Sequence, residues 1–377
     1  MAGIYLHIPY CKTRCPYCDF FTQTDQSSRG RFARALLREM ELRHTYLGGE
    51  AIQTIYFGGG TPSLLEPGQL ADIIRRIRDL FLITDDPEVT LECNPDDVDR
   101  DYFEGIKDAG INRLSLGIQS FSDQELRFLG RRHGAAHNHR ALEHALATGF
   151  ENLSIDLIYG LPGSTPDQWK QNLNSAFAYP LKHLSAYHLT IEPDTPFGRR
   201  KEQGELEEID EQTSLRQFEI LIEQARQYGM EHYELSNLAL PGYRSRHNSS
   251  YWHRQPYLGL GPSAHSYNLT SRHHNIASLK LYMDGVMEGQ PAMEEEILDK
   301  NDHFNDYLIT GLRTREGISL DDIARRFGDP YKDYLLKAAR TFIDTGRLLL
   351  DGNHLRLSDK GKFVSDNILR QLVWVED

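Results

Sequence analysis

The stretch Tyr5–Phe21, YLHIPYCKTRCPYCDFF, holds three of the chain's four cysteines: Cys11, Cys15 and Cys18, spaced C-x3-C-x2-C. Thiolates are soft ligands that suit zinc or iron–sulfur clusters. A structural zinc wants four ligands in a closed tetrahedron, usually from two separated hooks. Here one loop supplies three, and the nearby imidazole, His7, falls inside the short β-like run IYLHI (4–8). Three sulfurs are better suited to three corners of a cubane [4Fe-4S] cluster, which leaves one iron open. The remaining cysteine, Cys93, sits in another β-like run and reads as a small buried hydrophobe.

Outward from this loop, residues 1–237 alternate short β-like runs with longer helical patterns. The runs are 4–8, IQTIYF (52–57), EVTLEC (88–93), NRLSLGI (112–118), NLSIDLIY (152–159) and HLSAYHLTI (183–191). Between the first two, residues 30–47 place Phe32, Leu36, Leu37, Met40 and Leu47 near one helical face. Thr165 followed by Pro166 predicts a capped helix start. Alternating β and α elements imply a parallel sheet with right-handed crossovers. Six units predict an α/β fold, a partial (β/α)6 barrel, with a doubly wound sheet as the alternative. Both architectures put ligands at the carboxyl ends of the strands. There the chain places its cysteines, then GGGTP, ECNP, GIQSF and DLIYGLPG.

The cysteine spacing after a first strand and ahead of a β/α domain resembles the radical S-adenosylmethionine (SAM) superfamily over about residues 4–240. The resemblance implies SAM chelated at the open iron and cleaved by one electron from the cluster. It also implies a set of SAM-binding residues. Tyr17 matches the aromatic set against adenine, while Gly59, Gly60 and Thr61 match the motif that holds the amino group. Glu92 and Gln119 fall where methionyl and ribose groups are bound, with Arg131 and Asp156 as further polar anchors. Tyr5, on the first strand, joins this set.

Within the superfamily, the pattern is similar to the anaerobic coproporphyrinogen III oxidases and their relatives, the heme chaperones called HemW. The oxidases carry a further cysteine two positions after the third and an N-terminal extension. This chain has Phe20 at that position, and Cys11 follows only ten residues. In the second half, RHNSSYW (246–252) contains H-N-x-x-Y-W, which resembles the heme signature of the chaperone branch. It implies His247 as an imidazole for iron and Tyr251 and Trp252 as flat faces for a porphyrin. His265 is a second imidazole candidate, and His253 a weaker one. No C-x-x-C-H run is present. The resemblance therefore implies heme storage and transfer to an acceptor protein. Oxygen-independent coproporphyrinogen III oxidase is the alternative, and the sequence singles out no catalytic residue.

Residues 238–300, rich in His, Tyr, Pro and Gly, read as an irregular connection. Residues 301–377 read as a small, mostly helical accessory unit, with helical patterns followed by a hairpin signal in RLLLDGNHLRLS. That order is winged-helix-like, but the segment holds 12 Lys/Arg against 13 Asp/Glu, so a packing or lid role is expected over DNA binding. The whole chain of 377 residues carries a net charge of −13, which disfavours a nucleic-acid partner. No apolar run approaches the ~18 residues of a membrane span, which leaves peripheral association as the one membrane role. A cytoplasmic monomer or homodimer is the expectation, and in that compartment closely spaced cysteines bind metal more often than they form disulfides.

Overall fold

The structure, a computed structural model, describes residues 1–375. Its central strand is β1 (Ala2–Ile8), covered on both faces as a parallel interior strand must be. Ala2, Ile4, Leu6 and Ile8 point into the main core, and Tyr5 and His7 alternate to the other face. From β1 run, in sheet order, β2 (Ile52–Gly59), β3 (Ile83–Cys93), β4 (Arg113–Gln119), β5 (Leu153–Tyr159) and β6 (His183–His188), all parallel. The six-stranded parallel run is the predicted partial barrel. It stays open, because further strands extend it at both sides.

Crossovers are made by α1 (Arg29–Arg43), α2 (Pro67–Leu80), α3 (Arg100–Asp108), α4 (Asp123–Phe128), α5 (Ala135–Ala147) and α6 (Pro166–Phe177). Helix α6 starts as predicted: Thr165 Oγ1 accepts from the Gln168 amide, and Gln168 Oε1 accepts from the Thr165 amide. Helix α1 stops short of the expected residue 47, ahead of Gly48 and Gly49, whose φ values of 60° and 84° are left-handed. After β6 come α7 (Pro196–Glu202), α8 (Glu211–Gln227), β7 (Glu231–His232) and β8 (Asn237–Ala239). The last two add antiparallel strands beside β6.

Residues 238–300 are not the irregular connection expected from their composition. They form α9 (Arg246–Trp252), β9 (Tyr257–Leu260), β10 (His265–Tyr267), β11 (Ser271–Asn275), α10 (Leu279–Met287) and β12 (Met293–Ile297). Strand β9 pairs parallel with the free side of β1, and β10–β12 continue antiparallel, giving one 12-stranded sheet. Strands such as SRHHN and MEEEI carry no apolar alternation, so their pairing was invisible in the sequence. Tyr282, Met283 and Val286 of α10 belong to the main core. A break in packing therefore does not fall at residue 237.

A buried polar hub ties this extension to α1. Glu39, with no exposed surface, accepts from the Gly261 amide (2.8 Å), Asn275 Nδ2 (2.7 Å) and the Tyr282 hydroxyl (2.7 Å). Arg43, one turn on, reaches Gly259 O at 3.0 Å and Ser266 Oγ at 3.0 Å.

The tail has its own core around Phe304, Leu308, Leu335 and Leu355. It comprises α11 (Lys300–Arg313), β13 (Ile318–Ser319), α12 (Leu320–Phe327), α13 (Asp329–Asp344), β14 (Leu348–Asp351), β15 (His354–Leu357), α14 (Asp359–Phe363) and α15 (Ser365–Leu372). The three strands pair in the order β13-β15-β14, a winged-helix-like arrangement. The last two residues of the expected 301–377 unit lie outside the described residues. No helix among the described residues is long and apolar enough to cross a membrane.

Candidate functional site

The carboxyl ends of β1–β6 surround a cavity of about 410 Å³. Cys11, Cys15 and Cys18 enter it from the loop after β1, and all three are free thiols. Two glycines at the end of β2, Gly59 and Gly60, make room for that loop. A Cβ on Gly60 would stand 2.7 Å from Tyr10 O and 3.1 Å from Cys11 Sγ. Gly59 has φ 106°, and a Cβ there would strike the His7 ring at 2.7 Å. Thr61 Oγ1 lies 3.4 Å from Cys11 Sγ, and Arg131 Nη1 lies 3.6 Å from Cys15 Sγ. The loop is also clamped from outside: Asp97, its side chain almost wholly buried, pairs with Lys12 at 2.5 Å and with Arg132 at 3.2 Å.

Burial pushes the Cys11 thiol up, and it raises Cys18 to about 11, with Cys15 and Cys11 adding to the Cys18 shift. Such thiols release their protons readily only to a cation that replaces them. No three His, Cys, Asp or Glu side chains among the described residues converge on a single-ion point. The three thiols stand around a cavity instead, which suits a cluster broader than one ion. Arg131 Nη2 is spent on Asn94 Oδ1 (2.8 Å) and Gly117 O (3.0 Å), while its Nε is buried with no hydrogen-bond partner. A buried guanidinium edge facing a polar cavity is a ready carboxylate contact.

The other polar groups arrive on successive strands. Burial pushes the Glu92 carboxyl up to about 7, with nearby Asp156 adding to the rise against a bond from the Tyr56 hydroxyl at 2.7 Å. Asp156, also raised by burial, accepts from Ser115 Oγ at 3.2 Å. Gln119 closes β4 at φ 65°, a left-handed conformation that a non-glycine residue adopts only under strain, beside an irregularity in the β4–β5 register. Tyr17 is packed near Phe197, with ring centroids 6.4 Å apart. Gly59, Gly60, Thr61, Glu92, Gln119, Arg131, Asp156 and Tyr17 all line this one cavity. Tyr5 does not. Sequence reading missed Asn94, Tyr187, His188 and Thr190, which line the same cavity. The strand-end rule applied to β6 would have found Tyr187 and His188.

A second cavity, about 550 Å³, opens between β1, α9, β9–β11 and α11. Phe20 lines both cavities. Tyr5, Tyr251 and Trp252 face it, joined by Phe21, Tyr257 and Tyr267. Its polar groups are His7, His265, Arg254, Arg272, Asp19, Asp306 and a few neutral side chains. His7 is fully engaged: Nε2 bonds Phe21 O at 2.8 Å and Nδ1 the Tyr5 hydroxyl at 3.2 Å. It thereby fastens the far end of the cysteine loop to β1 rather than serving as a metal ligand.

His247 lies behind the wall of this cavity. It is 1% exposed and does not line the cavity. Its Nδ1 lies 2.8 Å from Thr54 Oγ1 and its Nε2 2.8 Å from the Tyr251 hydroxyl, so neither nitrogen is open to iron. Burial, with a smaller effect from Arg113, lowers its pKa to about 3. Tyr251 stands between His247 and the cavity, and His247 orients that wall. Trp252 does line the cavity, with the Arg313 guanidinium 4.6 Å from its ring centre. His253 falls just past α9 and does not line it.

Residues 5–176 match the model of the radical SAM superfamily, and residues 298–364 match the HemN C-terminal domain. Heme chaperone HemW of Mycobacterium tuberculosis is 34% identical across 98% of this chain and 94% of its own length. Heme chaperone HemW of Bacillus subtilis is 31% identical across 98% of both. A mitochondrial radical S-adenosyl methionine domain-containing protein of Mus musculus is 32% identical across 99% of this chain and 87% of its own. Among solved structures, coproporphyrinogen III oxidase (HemN) of Escherichia coli superposes with a TM-score of 0.86. It covers 99% of this chain and 90% of the oxidase at 23% identity, a likeness of fold. Similar to those relatives from end to end, with the cysteine loop and the HemN-type tail both in place, the chain belongs to the HemW family of radical SAM proteins.

Proposed function

We propose that this protein is a heme carrier that binds heme in the 550 Å³ cavity and passes it to an acceptor protein. Cys11, Cys15 and Cys18 would hold a [4Fe-4S] cluster in the adjoining cavity, with SAM at the open iron. The observation that carries the reading is the second cavity. Its walls are tyrosine, tryptophan and phenylalanine faces, its polar groups include imidazole and guanidinium, and Phe20 separates it from the cysteine cavity. Flat apolar faces suit a porphyrin, imidazole suits its iron, and arginine suits its carboxylates. The relatives' printed name, heme chaperone, supports the same function.

In the cysteine cavity, Thr61 and Arg131 stand against two of the sulfurs. Gly59 and Gly60 open the backbone to a ligand, and Glu92, Gln119 and Asp156 offer acceptors for amino and hydroxyl groups. A cluster with SAM bound would supply one-electron chemistry there. The chain's own residues bind and orient the ligand and hold the cavity's charges.

The test is anaerobic. The cluster is reconstituted, hemin is added, and the absorption spectrum is recorded while a parallel sample is assayed with coproporphyrinogen III. A stoichiometric Soret band without protoporphyrinogen is expected. Turnover with SAM consumption and no stable heme band would replace the carrier with the oxidase.

A further inference from the structure

We infer that His265, not the histidine of the H-N-x-x-Y-W run, is the imidazole that ligates iron in the second cavity, with Arg254 anchoring a porphyrin carboxylate. This rests on the heme-carrier reading and adds the ligand set.

Two imidazoles line the cavity, His7 and His265, and His247 stands behind its wall; their hydrogen bonds separate the three. His7 uses one nitrogen on Phe21 O and the other on Tyr5. His247 uses one on Thr54 and the other on Tyr251, behind the wall. His265 lines the cavity, is exposed, and makes no ring hydrogen bond among the described residues. It is therefore the one cavity imidazole with a lone pair to give.

Its placement is also fixed. His265 faces His274 across the β10–β11 pair, and the two rings stack 4.2 Å apart at 8°. Gly259 of β9 lies against the His265 backbone so closely that a Cβ there would be 1.9 Å from His265 O. A ring held from the side by its partner and from below by the sheet loses little freedom on binding metal.

Arg254 supplies the anion site. It follows α9 in a left-handed conformation, φ 52°. Its guanidinium lies 4.5 Å from the Tyr307 ring centre and donates to Thr310 Oγ1 at 3.1 Å. Among the described residues no carboxylate comes within ion-pair distance of it. The other cavity arginine, Arg272, is saturated by Glu296 and Asp306. Arg254 is thus a half-buried cation without a counter-ion, and a bound carboxylate would offset its desolvation.

The test compares hemin with metal-free protoporphyrin IX on the full-length protein. His265→Ala should weaken hemin by about tenfold or more, the equivalent of about 1.4 kcal/mol, and alter its Soret and electron paramagnetic resonance signatures. Metal-free protoporphyrin should bind as to the parent. His265→Tyr should restore a bound spectrum of oxygen-ligated character. Arg254→Gln should weaken both porphyrins alike. If His265→Ala keeps the parent's hemin spectrum and affinity, or lowers both porphyrins equally, His265 is not the iron ligand. If the parent protein itself binds neither porphyrin, the heme-carrier reading fails, a different outcome from failure of the ligand assignment alone.

Discussion

The Tyr56 ring stacks on His247 with centroids 4.9 Å apart and a 22° interplanar angle, while the Tyr56 hydroxyl donates to Glu92 at 2.7 Å. His247 in turn bonds Tyr251 on the wall of the second cavity. One phenol therefore touches the carboxylate of the cysteine cavity and, through one imidazole, the aromatic wall of the other. Gly58 permits this convergence, since a Cβ there would lie 2.9 Å from Tyr56, 3.0 Å from Tyr5 and 3.1 Å from Glu92.

Tyr56→Phe removes the hydroxyl that bonds Glu92. A hydrogen bond to a charged group contributes about 1.5–3 kcal/mol. SAM affinity of the cluster-loaded variant should fall roughly tenfold or more. Isothermal titration calorimetry under anaerobic conditions measures it, and unchanged affinity would remove Glu92 from the ligand site.

Glu92 also sets a pH signature. Its folded pKa, about 7, lies above its unfolded value, so the buried carboxyl prefers its proton. Stability should therefore fall as pH rises from about 4.5 through 7, by an amount on the order of 3 kcal/mol. Urea midpoints across pH 5–8 should show this slope in the parent and a reduced slope in Glu92→Gln. Parallel slopes would mean that Glu92 ionises normally.

His247 has the opposite sign. Its folded pKa is depressed, so the native state keeps the ring neutral and loses stability as pH falls below about 6.5 towards 3. His247→Ala leaves Thr54 and Tyr251 without partners and opens a buried gap, at a cost of about 3 kcal/mol. Thermal denaturation reads the loss. Bound hemin should keep the axial-ligand signature of the parent even as its affinity drops.

Glu39→Ala should cost about 3–5 kcal/mol, because Arg43 stays buried with its charge unpaired and Asn275, Tyr282 and the Gly261 amide lose an acceptor. Denaturant unfolding checks the magnitude. A loss under 1 kcal/mol would mean that water replaces the carboxylate.

Gly60→Ala drives a methyl group into Tyr10 O and towards Cys11 Sγ. Reconstituted iron and acid-labile sulfide should fall sharply while far-ultraviolet circular dichroism stays near that of the parent. Full iron content would show that the cysteine loop has room to shift.

The sequence by itself determined the six parallel strands, their order of appearance, and the loop of three cysteines at the end of the first. Those features are local: apolar runs, caps and close spacing are written within a few residues of one another. Glycines and polar residues at strand ends likewise converge once the strands are parallel, which is why eight of the nine residues expected around SAM line one cavity. Tyr5 was the exception, because a strand residue's face depends on register, and β1 turns it towards Tyr56 and His247. Only the tertiary structure decided the second half. Strand β9 is only four residues long and β10–β12 are too polar to announce themselves, and all four form by pairing onto β1 and onto each other. Whether a histidine offers a lone pair is decided by partners distant in the chain. Thr54 and Tyr251 occupy His247, whereas His265 has a stacked neighbour and, among the described residues, no bond to either nitrogen.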